Sequence, residues 1–114
     1  MLAPVKDKDK VANFCIKNDV DLIVFPTAWT DNNPGKDDLE CSLEMIDYWN
    51  SRMEPYSRKK LKKNVYLLCA DRIGKEKETT FIGVSCAVRL CPNLEILKFF
   101  GKKDEGCLLV NLDI

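Results

Sequence analysis

The chain predicts an α/β fold in which a parallel strand–helix–strand unit is followed by an antiparallel meander, and three observations carry that expectation. Two runs, DLIVFPTAW from Asp21 to Trp29 and VYLLCA from Val65 to Ala70, are continuously apolar where strands would lie. Between them lies a stretch with apolar residues at helical spacing, and a strand, a helix and a strand in that order is the signature of a parallel crossover. After the second run the character changes. Thr79–Leu90, Leu94–Phe100 and Cys107–Leu112 read as strands separated by CPN and GKKDEG, which are turn signals.

Taken in order, residues 1–6 read as an irregular lead-in, with Pro4 disfavouring helix at Ala3. From Asp7 to Asn18, Val11, Phe14 and Cys15 follow a helical stripe, and Asn18-Asp19 supplies a stop. The run after Asp21 suits a strand covered on both faces and placed mid-sheet. Ligands in open α/β sheets bind beyond the carboxyl ends of the strands, so Thr27 and Trp29 stand where a site is expected. Thr27–Asp37 is a loop longer than a compact connection needs. Trp29 in it is either a substrate-facing wall or a lid on the core.

Asp37 followed three residues later by Glu40 reads as a helix cap. The helix is expected to reach Glu54, with Leu39, Leu43, Ile46, Trp49 and Met53 on the face toward the sheet. Pro55 cannot continue the ladder without a kink, leaving Tyr56–Lys63 as a second, basic helical piece or a bent continuation. Parallel pairing of the two apolar runs brings Asp71 and Arg72 to the same rim as Thr27 and Trp29, either as a surface ion pair or as part of a site. Gly83, inside FIGVS, predicts a bulge or a close backbone approach.

At 114 residues, with 46% hydrophobic and 32% charged, the chain is expected to form one globular domain, residues 1–114. Eighteen basic residues balance eighteen acidic ones, so no net field favours nucleic acid or a membrane surface. Arg58–Lys63 is the one local basic excess; a nuclear address or phosphate patch is weighed against cations that favour a helix carboxyl end, and the latter is preferred. MLAPVKDKDK is too charged for a signal peptide and no run reaches membrane-spanning length, so the expected location is cytoplasmic, with the nucleus as an alternative. The six cysteines lack paired spacing and read as small core residues. With no histidine, a Ser-His-Asp triad, a Cys-His dyad and the commonest zinc sites are excluded. Chemistry by carboxylate, lysine and cysteine is left.

DLIVFPTAW, CADRIGKE, FIGVS and the closing LLVNLD, in this order, resemble the carbon–nitrogen hydrolase (nitrilase) superfamily. Tyr48-Trp49, Arg52-Met53-Glu54-Pro55 and the tail LKFFGKKDEGCLLV resemble its protein N-terminal asparagine amidohydrolase branch. The resemblance implies the carboxyl-terminal half of an αββα sandwich and hydrolysis of a side-chain amide at a protein amino terminus. It also implies a glutamate, a lysine and a cysteine nucleophile acting through a thioester. The family's nucleophile stands just upstream of the helix that precedes DLIVFPTAW, so Met1 is expected to begin a few residues too late. No catalytic residue is therefore carried over, no cofactor and no metal is implied, and the isolated chain is expected to be inactive.

What the resemblance does carry over is a substrate-binding rim of Thr27, Ala28 and Trp29, then Arg72, Gly74 and Glu76. Asp71 stands where the family usually has asparagine, which changes an amide into an acceptor-only carboxylate. The implied partner is an amino-terminal peptide. The competing reading is a non-catalytic binding or assembly module that oligomerises through an exposed sheet surface. VFPTAW is also similar to the pantetheinase and biotinidase branch, whose members are secreted; the charged start and the YW and RMEP segments argue against it.

Overall fold

The computed structural model describes residues 9–31, 35, 37–102 and 104–113, and the expected lead-in lies outside them. Its elements are α1 (Lys10–Lys17), β1 (Leu22–Thr27), α2 (Asp38–Arg52), α3 (Pro55–Lys59), β2 (Val65–Asp71), β3 (Ile73–Glu76), β4 (Thr79–Ile82), β5 (Cys86–Cys91) and β6 (Glu95–Phe99). They build a mixed α/β fold with a four-stranded sheet in the order β1-β2-β5-β6 and a separate two-stranded hairpin of β3 and β4.

The parallel unit is present. β1 runs parallel to β2 from Leu22 opposite Tyr66 to Thr27 opposite Asp71. β5 and β6 continue the sheet antiparallel, through the turn after Cys91. The helix signals act locally as read. Asn18 closes α1 with its side-chain amide, which donates to the Phe14 carbonyl at 2.8 Å. Asp19 follows at φ 54°, a conformation that aspartate tolerates. The Asp37 carboxylate accepts from the Glu40 N–H at 3.1 Å and caps α2. Pro55 opens α3 at a position where its missing N–H costs nothing.

Four expectations are corrected. β1 is an edge strand, not a mid-sheet one, and only one of its faces is covered: Ile23 is buried while Leu22 and Val24 are 37% and 55% exposed. A continuous apolar run records hydrophobicity on both faces but not which face finds a neighbour; the strand buried on both sides is β2. On α2, Ile46, Trp49 and Met53 are buried as expected, but Leu39 and Leu43 are 58% and 42% exposed. The buried stripe at that end is Cys41 and Ser42 instead, because the helix is rotated by packing that its periodicity does not contain. The span Thr79–Leu90 divides into β4 and β5, which belong to different sheets. The break lies at Gly83 and Val84, at φ 71° and 65°. Residues 73–76 form a further strand, β3, that pairs antiparallel with β4. Last, Cys107–Leu112 forms no strand among the described residues. It straps the second face of the sheet, where the Asp113 carbonyl accepts from Asn64 at 2.8 Å and its N–H donates to the Tyr66 hydroxyl at 3.1 Å.

Gly83 meets its expectation of a close approach. A Cβ there would lie 2.7 Å from Ile73 Cγ2 and 2.8 Å from the Lys102 carbonyl oxygen. The core fills the space between the helices and one sheet face, with Ile46, Trp49, Met53 and Tyr56 against Ile23, Leu67 and Val88. Burying side chains of this size is worth roughly 1.5–3 kcal/mol each. No described helix is long and apolar enough to cross a membrane.

Candidate functional site

The parallel register delivers Thr27 and Asp71 side by side at the carboxyl ends of β1 and β2. Partnered residues in a ladder share a face, so both side chains point to the helix-covered side, in line with Ile23 and Phe25. The ladder continues one residue further, where the Arg72 N–H donates to the Thr27 carbonyl at 3.0 Å.

Asp71 is the distinctive group of this rim. It is 8% exposed, and both of its carboxylate oxygens lack a hydrogen-bond partner among the described residues. Only its backbone is held: the N–H donates to the Ser85 hydroxyl at 2.9 Å. Burial therefore pushes the carboxyl up to about 7, because it penalises the charged form. The Thr27 hydroxyl beside it is also buried and unpartnered among the described residues, as is the Trp49 indole N–H. The ring of Trp49 stacks on Phe25 at 5.6 Å, one pleat before Thr27.

Trp29 resolves into both of its readings at once. Its ring packs edge-on against Tyr48 at 5.2 Å and Trp49 at 6.0 Å, yet it remains 37% exposed. One side caps the core and the other offers an aromatic surface beside the strand ends. Trp29 is held by β-type bonding rather than by a free loop: its carbonyl accepts from Ile82 N–H at 2.8 Å, and Asp31 N–H donates to Thr80 at 2.7 Å. Thr30 bridges Phe81, so residues 29–31 run antiparallel along β4. Ala28 is exposed between Thr27 and Trp29.

Gly74 and Glu76 lie on β3, and Arg72 immediately precedes it. Arg72 pairs with Glu76 at 2.8 Å, not with Asp71, and its guanidinium lies 4.2 Å over the ring of Phe81. Both partners are more than half exposed, so this pair adds little stability. Gly74 adopts φ 96°, which explains a glycine at this point of the hairpin. The basic stretch is partly neutralised by its surroundings. Arg58 bridges Glu54 at 2.7 Å and Asp9 at 2.9 Å, and Lys63 bridges Asp19 and Asp21, which raise its ammonium above the ordinary range, Asp19 foremost.

Sequence reading missed a second polar feature. Lys102 pairs with Asp31 at 2.6 Å, with side chains only 7% and 3% exposed. The hydrogen bond to Asp31 raises the Lys102 ammonium. Asp38 accepts from the Lys102 N–H at 2.8 Å and from the Ser42 hydroxyl at 3.2 Å, tying the α2 start to the turn after β6. A cavity of about 370 Å³ opens beside this pair, lined by Ile73, Gly74, Thr80 and Phe81 among others. The signal available was weak, a lysine within the GKKDEG turn. Among the described residues no group of three or more His, Cys, Asp or Glu is arranged to hold a metal ion. No protein-family model, curated protein or solved structure matches this chain.

Proposed function

We propose that the chain is the peptide-binding portion of a carbon–nitrogen hydrolase-type domain, related to the protein N-terminal asparagine amidohydrolases, and that it holds the amino-terminal residue of a peptide without hydrolysing it. The observation that carries this reading is Asp71, a carboxyl buried at a strand end with both oxygens unpartnered among the described residues. A peptide's α-ammonium has three donors and a positive charge, which satisfy that carboxylate and draw its proton off. Thr27 supplies a further hydroxyl, and the open face of Trp29 accepts a cation or a side chain. Inactivity follows from the cysteines: the five buried ones are core residues, and Cys107 lies in the strap rather than at the strand ends. The αββα reading is supported by the sheet's second face, which is apolar and open at Leu22 and Val24, where a second sheet would pack. The same exposed face favours the alternative, an assembly module that pairs through it.

The test titrates the protein with a short peptide beginning with Asn and with its N-acetylated form, following tryptophan fluorescence and ammonia release. Saturable quenching by the free peptide alone, without ammonia, is expected. Turnover would place chemistry on this chain, and equal binding of the acetylated peptide would remove the ammonium-recognition role of Asp71.

A further inference from the structure

Cys69 on β2 and Cys86 on β5 stand directly opposite each other in an antiparallel ladder, and both are buried on the helix-covered face of the sheet. Directly opposed residues of antiparallel strands have Cα atoms about 4.5–5.5 Å apart with side chains on one face, and a disulfide spans about 4.4–6.8 Å. Bridging this pair therefore asks for side-chain rotation rather than strand movement. The arrangement is specific to the register: Cys91 faces Val65, while Cys15 and Cys41 lie on helices.

We propose that Cys69 and Cys86 form a redox-responsive dithiol, closed by a peroxide into a disulfide between β2 and β5 and reopened by a thiol reductant. The interaction between the two neighbouring thiols raises Cys69 and lowers Cys86, which makes the Cys86 sulfur the better attacking group. The Cys86 sulfur attacks one peroxide oxygen; the O–O bond breaks, a sulfenic acid forms, and the thiol proton leaves with the other oxygen as water or an alcohol. The Cys69 sulfur then attacks that of Cys86, the S–OH bond breaks, and the hydroxide leaves as water with the Cys69 proton. Two electrons pass from the two sulfurs to the peroxide, and a reductant returns two electrons and two protons. The bridge would close a loop that contains Asp71, Arg72 and the whole β3–β4 hairpin, stiffening the base of the rim. This inference does not depend on the peptide-binding reading.

The experiment uses the full chain with Cys107→Ser, which removes the one exposed thiol. After hydrogen peroxide treatment the protein is unfolded, alkylated with a maleimide and cut with trypsin. The expected product is residues 64–72 linked to residues 78–89, two hydrogens lighter than the free pair and lost on treatment with dithiothreitol; each segment holds a single cysteine. The melting temperature of the oxidised protein should rise by about 10 °C. Maleimide on both segments after oxidation, or linkage of either to any other cysteine, would overturn the proposal. Cys86→Ser should abolish the linked product, and if that variant does not fold, the peptide map of the Cys107→Ser protein decides alone.

Discussion

Replacing Asp71 by asparagine removes a buried ionisable group while keeping its shape, and the consequence depends on pH in a way the structure dictates. Burial raises the carboxyl from 3.8 to about 7 in the folded protein. Between those values the native state holds a proton that the unfolded chain has released, so unfolding stability falls as pH rises through the window. Below 3.8 both states are protonated and the penalty vanishes; above 7 it is complete. The shift would amount to about 4 kcal/mol at most. About 2–4 kcal/mol is expected. Urea unfolding followed by tryptophan fluorescence should give similar midpoints for Asp71→Asn and the parent protein near pH 4. By pH 8 the variant should lead by about 1–2 M urea. Taking the difference between the two proteins cancels every other titrating group. A difference that stays flat with pH, or that favours the parent at pH 8, would refute the view that Asp71 is buried and unpaired. The same variant should lose discrimination between a free and an acetylated peptide amino terminus, because an amide presents no charge to an ammonium. In the parent protein, binding of the free peptide should strengthen as pH rises through 7.

Three further outcomes are expected. Gly83→Ala combines φ 71° with contacts below 3 Å to Ile73 and the Lys102 backbone, and should destabilise by about 2–4 kcal/mol in urea unfolding. Lys102→Met should destabilise the fold in urea unfolding by removing the buried ammonium from the Asp31 carboxylate, whereas the double change with Asp31→Asn should recover most of that loss in a double-mutant cycle. Val24→Lys, on the open face of the edge strand, should change stability by less than about 0.5 kcal/mol. It should also abolish any self-association seen by light scattering if the sheet face is the contact.

Much of the fold is legible in the sequence because its signals act over a few residues. The apolar runs at β1 and β2, the aspartate cap before α2, the asparagine stop after α1 and the proline that opens α3 are local propensities that the fold keeps. From the order of those elements the parallel pairing follows, and with it the placing of Asp71 on the same rim as Thr27. The cysteines too read correctly as buried residues, with the exception of Cys107.

What the tertiary structure alone decided depends on partners far apart in the chain. Hydrophobicity marks β1 as a strand, but only the sheet order makes it an edge with Val24 open to solvent. Nothing in CADRIGKE shows that Arg72 turns toward Glu76 and Phe81 and leaves Asp71 without a counter-ion among the described residues. The Lys102–Asp31 pair and the Cys69–Cys86 thiols are likewise products of long-range register, which side-chain type does not encode. Elements are set by short-range backbone preference and periodicity, whereas burial and charge pairing are set by which surfaces meet. The candidate site lives in that second category.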